Sequence, residues 1–500
     1  MAYKHGIEVT EKATSFPSPL STQYAVQVVF GTAPVNQAAD PAAAVNRPIK
    51  AATFEEAQEA LGYSEDWEKY TLCQSMYASF KLAQVSPVIF INVLDPAKHV
   101  KDLEETACAV KNHQATLEIA GVLLEGLAVK AQTGVTVTGM ALTGEAEVGD
   151  IETAELIPGT DYLAGFDGHG HLVLTLLGAG EAYDAGELTV SGRVLAPEMV
   201  TGEDIIGAYD VSTGAESGLE VLRQVYPRYG LVPGFLLAPG WTENPNVGAA
   251  LQGKCEDISG AFRSMCLLDL DTARACKYTD CEQVKDGMGY NDEHAIILWP
   301  RVTLDGKQYA YSAVYGAMAS YHTAANDDVP YLYPSNKELN VDGAVLADGT
   351  GILLDQVQAG VLNGVGVVTA FHDTAWKSYG NNTGCYPGNT DPKDRWIGCR
   401  RMFDYVANYF TAEYRKRLDG NMNRRTIDDI VNSFNIWGNA LTAAGMCAGL
   451  YSEYRSGENT LEGVLAGHLK LHIYLAPFTP AEYVNAVMEF DVSALEGALE

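Results

Sequence analysis

The sequence predicts an α/β fold interrupted by a small all-β insertion and flanked by two extended arms. Three observations predict it. Strand-like apolar runs alternate with helical stripes over residues 23–101 and again over 198–375, the order that builds a mostly parallel sheet covered by helices. Between them, residues 131–192 hold ten acidic residues and no Lys or Arg, in short alternating runs broken by Gly-containing turns. At the two ends, 1–15 and 489–500 have too few apolar positions to belong to a core.

Taken in order, residues 1–22 alternate weakly, carry Pro17 and Pro19 and lack a helical stripe, so they read as an extended arm with a hinge at 16–20. A strand of about 12 residues reaches roughly 40 Å, enough to cross to a neighbouring molecule. The run TQYAVQVVFGTAP reads as a buried strand ending at Gly31. Thr53 with Glu56 three residues on is a capping-box pattern that opens a helix over 53–63. A second helix over 67–84 leads into the apolar run 88–94, which fits a strand covered on both faces.

The pattern then changes to a β module at 102–197, in which FDGHGHLVL signals a hairpin with Asp167-Gly168 supplying a positive φ. The α/β alternation resumes near Val200 and runs to 375, with NGVGVV at 363–368 reading as a core strand. Residues 376–488 open on the loop YGNNTGCYPGNTDPKD and continue as two helices and a strand pair. The chain closes on a second extended arm, 489–500.

Composition narrows the function. At 500 residues the chain has room for about three domains. Lys+Arg of 33 against Asp+Glu of 64 gives a net charge of −31, which repels nucleic acid and anionic membrane surfaces. No run approaches the apolar length of a membrane span, and the residues behind Met1 lack the pattern of a secretion signal. The nine cysteines recur without a repeated spacing and read as reduced thiols.

The candidate chemistry is thin. His169 and His171 share one strand face, but no third ligand follows at metal-binding spacing, so they read as turn histidines. Cys276 and Cys281 lack a second matching pair. DVSTG at 210–214 is a three-letter likeness to protease motifs, and no Gly-x-Ser-x-Gly or phosphate-binding glycine loop occurs. The expectation is therefore no catalytic residue, no metal site and no cofactor.

Four segments, read together, resemble the tail sheath proteins of contractile-tailed phages and of phage-tail-like bacteriocins. VVFGTAPVNQA, NRP and TFEEAQEALGY carry the first, through Gly31, Thr32, Ala33, Pro48, Phe54, Leu61 and Gly62. FLLAPGWTENPNVGAAL with LLDLD carries the second, through Ala238, Pro239, Gly240 and Asp269. The third is LWPRV, VPYLYPSN, GVVTA and WKSYGNNT, with Asn382 where the family more often has Arg. RWIGCRRMFDYV and GHLKLHIYLAPFTPAEYVNAVMEFDV supply the fourth, through Arg400, Arg401, Pro480, Ala481, Glu482 and Tyr483.

The resemblance implies a subtilisin-like α/β domain without a protease site, an inserted β-sandwich domain and an α+β C-terminal sheath domain facing an inner tube. It also gives the arms a role as strands added to a sheet on neighbouring copies, with Ile7, Val9, Phe490 and Val492 as the intersubunit positions. The implied partners are other copies in stacked hexameric rings, the inner tail tube protein, and baseplate and tail terminator proteins, with no nucleic acid and no membrane insertion. The implied location is a virion tail sheath or phage-tail-like particle assembled in the host cytoplasm. An α/β hydrolase with a degenerate motif and a cell-surface array or adhesin are the alternatives.

Residues 395–425 hold eight Lys or Arg against three acids, a local +5 in a chain of −31. On a helix over 394–418, Trp396, Cys399, Phe403, Val406 and Phe410 form one buried stripe. Arg401, Asn408 and Arg415 then fall on the opposite face; the resemblance places this domain next to the tube, and the basic face is expected to dock on it.

Overall fold

The computed structural model describes residues 20–140, 146–180 and 182–499, so the predicted arm positions Ile7 and Val9 lie outside the described residues. The chain forms two compact units. One comprises the chain up to Trp241 with the return segment Ser312–Asp328, the other Thr242–Tyr311 with Val329–Glu500.

In the first unit, strands Pro233–Leu237, Val26–Gly31 and Val88–Asn92 pair in parallel, and Pro48–Ala51 adds antiparallel at the edge. Every residue of Val26–Gly31 and Val88–Asn92 is buried, which is why both read as unbroken apolar runs. Helix Phe54–Leu61 begins as the sequence predicts: the Thr53 side chain accepts from Glu56 N, and Glu56 reaches back to the Ala52 N–H at 2.8 Å. The second helix is shorter than expected, Leu72–Tyr77, and widens into a π-helical stretch at Ala78–Ala83.

The end of Val26–Gly31 explains its Gly-Thr-Ala motif. A Cβ on Gly31 would lie 2.3 Å from Thr71 Oγ1, so only glycine lets the next helix approach. Thr32 and Thr71 then exchange two hydrogen bonds, Thr32 N to Thr71 Oγ1 at 3.2 Å and Thr71 N to Thr32 Oγ1 at 3.1 Å. Asn92, fully buried on the next strand, accepts from Ala33 N at 2.9 Å and fixes the exit of the chain.

Between residues 100 and 195 the same unit carries the β module. Seven antiparallel strands follow the order Tyr162–Phe166, His171–Leu176, Gln114–Ala120, Val100–Lys111, Glu187–Leu195, Ala128–Met140 and Ala146–Glu155. Leu117, Val122, Leu172, Leu174, Leu188 and Val190 form its core. The hairpin at FDGHGH is real, but its turn differs from the expectation. Gly170 takes the positive φ of 79°, while the Asp167 carboxylate accepts from His169 N and His171 N at 2.9 Å each. An Asx turn with a left-handed glycine at its end replaces the tight two-residue turn.

In the second unit, strands Met265–Asp269, Ala295–Trp299 and Val367–His372 pair in parallel, and Trp376–Tyr379 and Lys337–Glu338 extend them antiparallel. The run 363–368 is not a single strand: helix Gln356–Gly364, opened by an Asp355/Gln358 capping box, ends inside it, and the strand starts at Val367. Beyond it come helices Ile397–Tyr414 and Arg424–Ala443 and the antiparallel hairpin of Gly449–Tyr454 with Leu471–Ala476.

The C-terminal arm departs from its expectation. Residues 492–499 form the helix Val492–Leu499 rather than a strand, so Val492 opens a helix and Phe490 precedes it. The physical reason is local: the Asp491 carboxylate accepts from Ala494 N at 3.1 Å, an N-cap, and Ala and Leu favour the helix behind it.

Candidate assembly surface

Two places frame the candidate assembly surface. At the first, Leu20–Ser21 pairs in parallel with Val85–Ser86, and Thr22 N donates to Ser86 O at 2.9 Å. The Asp328 carboxylate grips the next residues: it accepts from the Thr22 hydroxyl, from Gln23 N at 2.8 Å and from Tyr24 N at 3.2 Å. Four hydrogen bonds thus hold residues 22–24 in place.

At the second, Tyr333 donates its hydroxyl to Phe478 O at 3.1 Å, and Arg395 lies 4.0 Å from Glu482. Beyond that point the chain carries no regular structure until Val492, and every residue from 481 to 490 is exposed. Tyr483, Val484, Val487, Met488 and Phe490 are among them, with Met488 94% exposed. Single exposed apolar side chains are ordinary, but five within eight residues of extended chain form a strip.

The nearby hairpin is also incomplete. Helix Arg424–Ala443 covers one side: Asn435 accepts from Ser452 N at 2.6 Å and donates to Ser452 O at 3.0 Å. A Cβ on Gly438 would lie 2.3 Å from Leu450 O, so the helix backbone sits directly on that strand. Among the described residues, Leu471–Ala476 has no third strand on its other edge. Two strands alone are marginal, and an open edge is a template for a further strand.

The helix Ile397–Tyr414 corrects the tube-facing expectation in part. Arg401 and Asn408 are buried, not on a solvent face. Asn408 clamps the backbone of Arg263, accepting from its N–H and donating to its carbonyl at 2.8 Å each. Polar identity alone suggests solvent there; the partner lies 145 residues away in sequence, where periodicity does not reach. Arg415 is exposed, with Lys416 and Arg417 beside it.

Arg400 belongs to a buried ionic cluster. It holds Asp404 through two nitrogens at 3.1 and 2.9 Å and Asp394 at 3.2 Å. His294 lies 3.4 Å from both Asp404 and Asp292. Burial alone would strip the imidazolium of its proton, but the two carboxylates outweigh it and raise His294 to about 10. Burial lowers Lys285 to about 8, while its ammonium donates to Val365 O at 2.7 Å and Tyr386 O at 2.8 Å. Asn382, the departure from the family pattern, is buried and useful: it donates to Asn363 O at 3.0 Å and accepts from Arg395 Nε at 3.1 Å.

The remaining candidates resolve into structure. In DVSTG, the exposed Asp210 carboxylate accepts the Ser212 and Thr213 hydroxyls at 2.6 Å each, bonds that lower it to about 2. His171 faces Asp167 at 3.2 Å, and its ring centroid is 5.8 Å from that of His169. Cys276 and Cys281 point their thiols at the Ala273 and Lys277 carbonyls. Among the described residues no cluster of three metal-ligating side chains occurs, and no helix is long and apolar enough to cross a membrane.

No family model matches the chain. Its sequence is 23% identical over 489 residues to the tail sheath protein of Burkholderia phage BcepMu, covering 94% of this chain and 93% of that one. Its fold is similar to a chain in the cryo-EM structure of the anti-feeding prophage baseplate, with a TM-score of 0.57 and 13% identity over 98% of this chain and 100% of that one. It is also similar to the sheath complex of the extracellular contractile injection system PVC in its contracted state, with a TM-score of 0.53 and 14% identity over 99% of each chain.

Proposed function

We propose that this chain, a homologue of tail sheath proteins across 94% of its length, is the repeating subunit of a contractile sheath. Copies stack as hexameric rings around an inner tube, and the polymer shortens to drive the tube into a target envelope. The observation that carries the reading is the pairing of an apolar C-terminal segment, exposed from 481 to 490, with a hairpin whose strand Leu471–Ala476 has an open edge. A strand from one copy completes the sheet of another, and main-chain hydrogen bonds persist while the packed units reorient.

The subtilisin-like topology of the α/β core and the sandwich character of the β module belong to the same reading, as do the segment boundaries 102–197 and 376–488. Contraction needs no nucleotide: the work comes from new contacts between copies in a second lattice, a bistable interface. Tube docking falls to exposed Arg415 with Lys416, since Arg401 and Asn408 are engaged inside the fold. Baseplate and terminator proteins bound the polymer at its two ends, and assembly takes place in the host cytoplasm.

Removing residues 489–500 tests the reading. The shortened chain stays soluble and melts cooperatively, because that segment contributes nothing to a core, but forms no tubes. Tubes of wild-type length from the shortened chain would show that residues 489–500 do not join the copies, and a full-length chain that forms no tubes would contradict the reading itself.

A further inference from the structure

The second unit contains an apolar groove of about 920 Å³ lined by Phe410, Tyr414, Leu418, Ile430, Leu465 and Ile473, among others. Its walls are the tip joining Ile397–Tyr414 to Arg424–Ala443, the helix Leu461–Leu465 and the strand Leu471–Ala476. Leu418 and Leu465 are 70% and 78% exposed, so the apolar surface is open to solvent. Its charged lining is Arg417 and Lys470, with His468, against Asp419. Lys470 also pairs with Glu458 at 2.6 Å, whereas Arg417 lies over the Tyr414 ring at 5.5 Å.

The C-terminal helix has the complementary character. After Lys470 the chain carries five acidic residues and no Lys or Arg. Val492 and Leu495, three apart and so on one face of Val492–Leu499, are both exposed. Glu489 and Asp491 immediately precede that face. An eight-residue helix is not stable alone in water, so it needs a surface to lie on.

We propose that the groove receives the helix Val492–Leu499 of a second copy, with Val492 and Leu495 against the Leu418 and Leu465 surface and the acidic flank toward Arg417. This rests on the reading that copies of the chain polymerise. It assigns the last residues a role apart from strand addition: a helix-in-groove latch that follows the strand segment.

The test is fluorescence anisotropy with a labelled peptide of residues 488–500 titrated with full-length protein. Saturable binding that weakens as salt rises is expected, since the steering is between partly exposed charges. Arg417→Glu and Leu465→Asp, both at exposed side chains, each weaken it about tenfold or more. A peptide carrying Glu489→Lys binds Arg417→Glu more tightly than it binds the wild type. Absence of saturable binding, or equal binding to all three proteins, overturns the assignment; capture by a surface other than the groove would appear as that second result. Electron microscopy of a chain ending at Asp491 separates the two readings. If the peptide does not bind and the shortened chain still forms tubes, the latch fails and the polymer stands; if neither full-length nor shortened chain forms tubes, the polymer reading itself fails.

Discussion

Arg400 holds Asp404, one helical turn further along Ile397–Tyr414, through two guanidinium nitrogens while both side chains are buried. Both nitrogens donate to the one oxygen Asp404 Oδ1, and an ion pair in a dry interior is most costly when only one partner is removed. Arg400→Ala leaves Asp404 and Asp394 without their shared cation and is expected to destabilise the fold by about 3–5 kcal/mol. Arg400→Lys recovers only part, because an ammonium lacks the spread donors with which the guanidinium reaches Asp404 and Asp394 together. Urea unfolding of the three proteins checks this. A loss under about 1 kcal/mol for Arg400→Ala would place the pair in water.

The cluster also fixes a pH dependence. His294, raised to about 10 when folded, has an ordinary unfolded value near 6.5. Above about 6.5 the unfolded chain binds fewer protons than the folded one at this site, so the contribution is complete below 6.5 and is lost as pH rises toward 10. The urea midpoint of the wild type is expected to fall between pH 6.5 and 8. His294→Gln should flatten that slope. Lys285, lowered to about 8, works in the opposite direction above pH 8, where the unfolded chain holds the extra proton. Lys285→Met should therefore steepen the decline between pH 8 and 9. Parallel curves for all three proteins would show that neither group is linked to folding.

Gly31 tests the first unit. A methyl group placed 2.3 Å from Thr71 Oγ1 forces the helix Leu72–Tyr77 off its strand. Gly31→Ala should cost about 1–3 kcal/mol. Thr71→Ala in the same chain removes the clashing oxygen, so the double variant should lose less than the sum of the singles. Simple additivity would mean that the two positions do not touch.

How much of the fold is legible in the sequence depends on how local the cause is. The Thr53 cap, the buried runs Val26–Gly31 and Val88–Asn92 and the hairpin before His171 all follow from neighbours within a few residues, and the sequence patterns locate them. The departures have non-local or competing causes. Asn408 looks solvent-facing in sequence because its partner, the Arg263 backbone, is supplied by the fold. Arg401 looks like part of a docking face, although the fold buries it next to Arg400, which is held among carboxylates. The terminal helix escapes the pattern because the lack of core positions suggests extension, while Asp491 is an ordinary N-cap.

Ser212 offers a check on the hydrolase alternative. Its hydroxyl donates to Asp210 within an exposed turn, the reverse of a nucleophile presented to a histidine base. A fluorophosphonate probe is expected to label no serine of the folded chain. Stoichiometric labelling of one serine would reopen that alternative.

Polymer formation is the central claim, and electron microscopy of the purified full-length chain at assembly concentration tests it most directly. Stacked rings or sheath-like tubes that disappear when residues 489–500 are removed are the predicted result. A full-length chain that remains a monodisperse monomer at every concentration and salt, with or without an added tube, would contradict it.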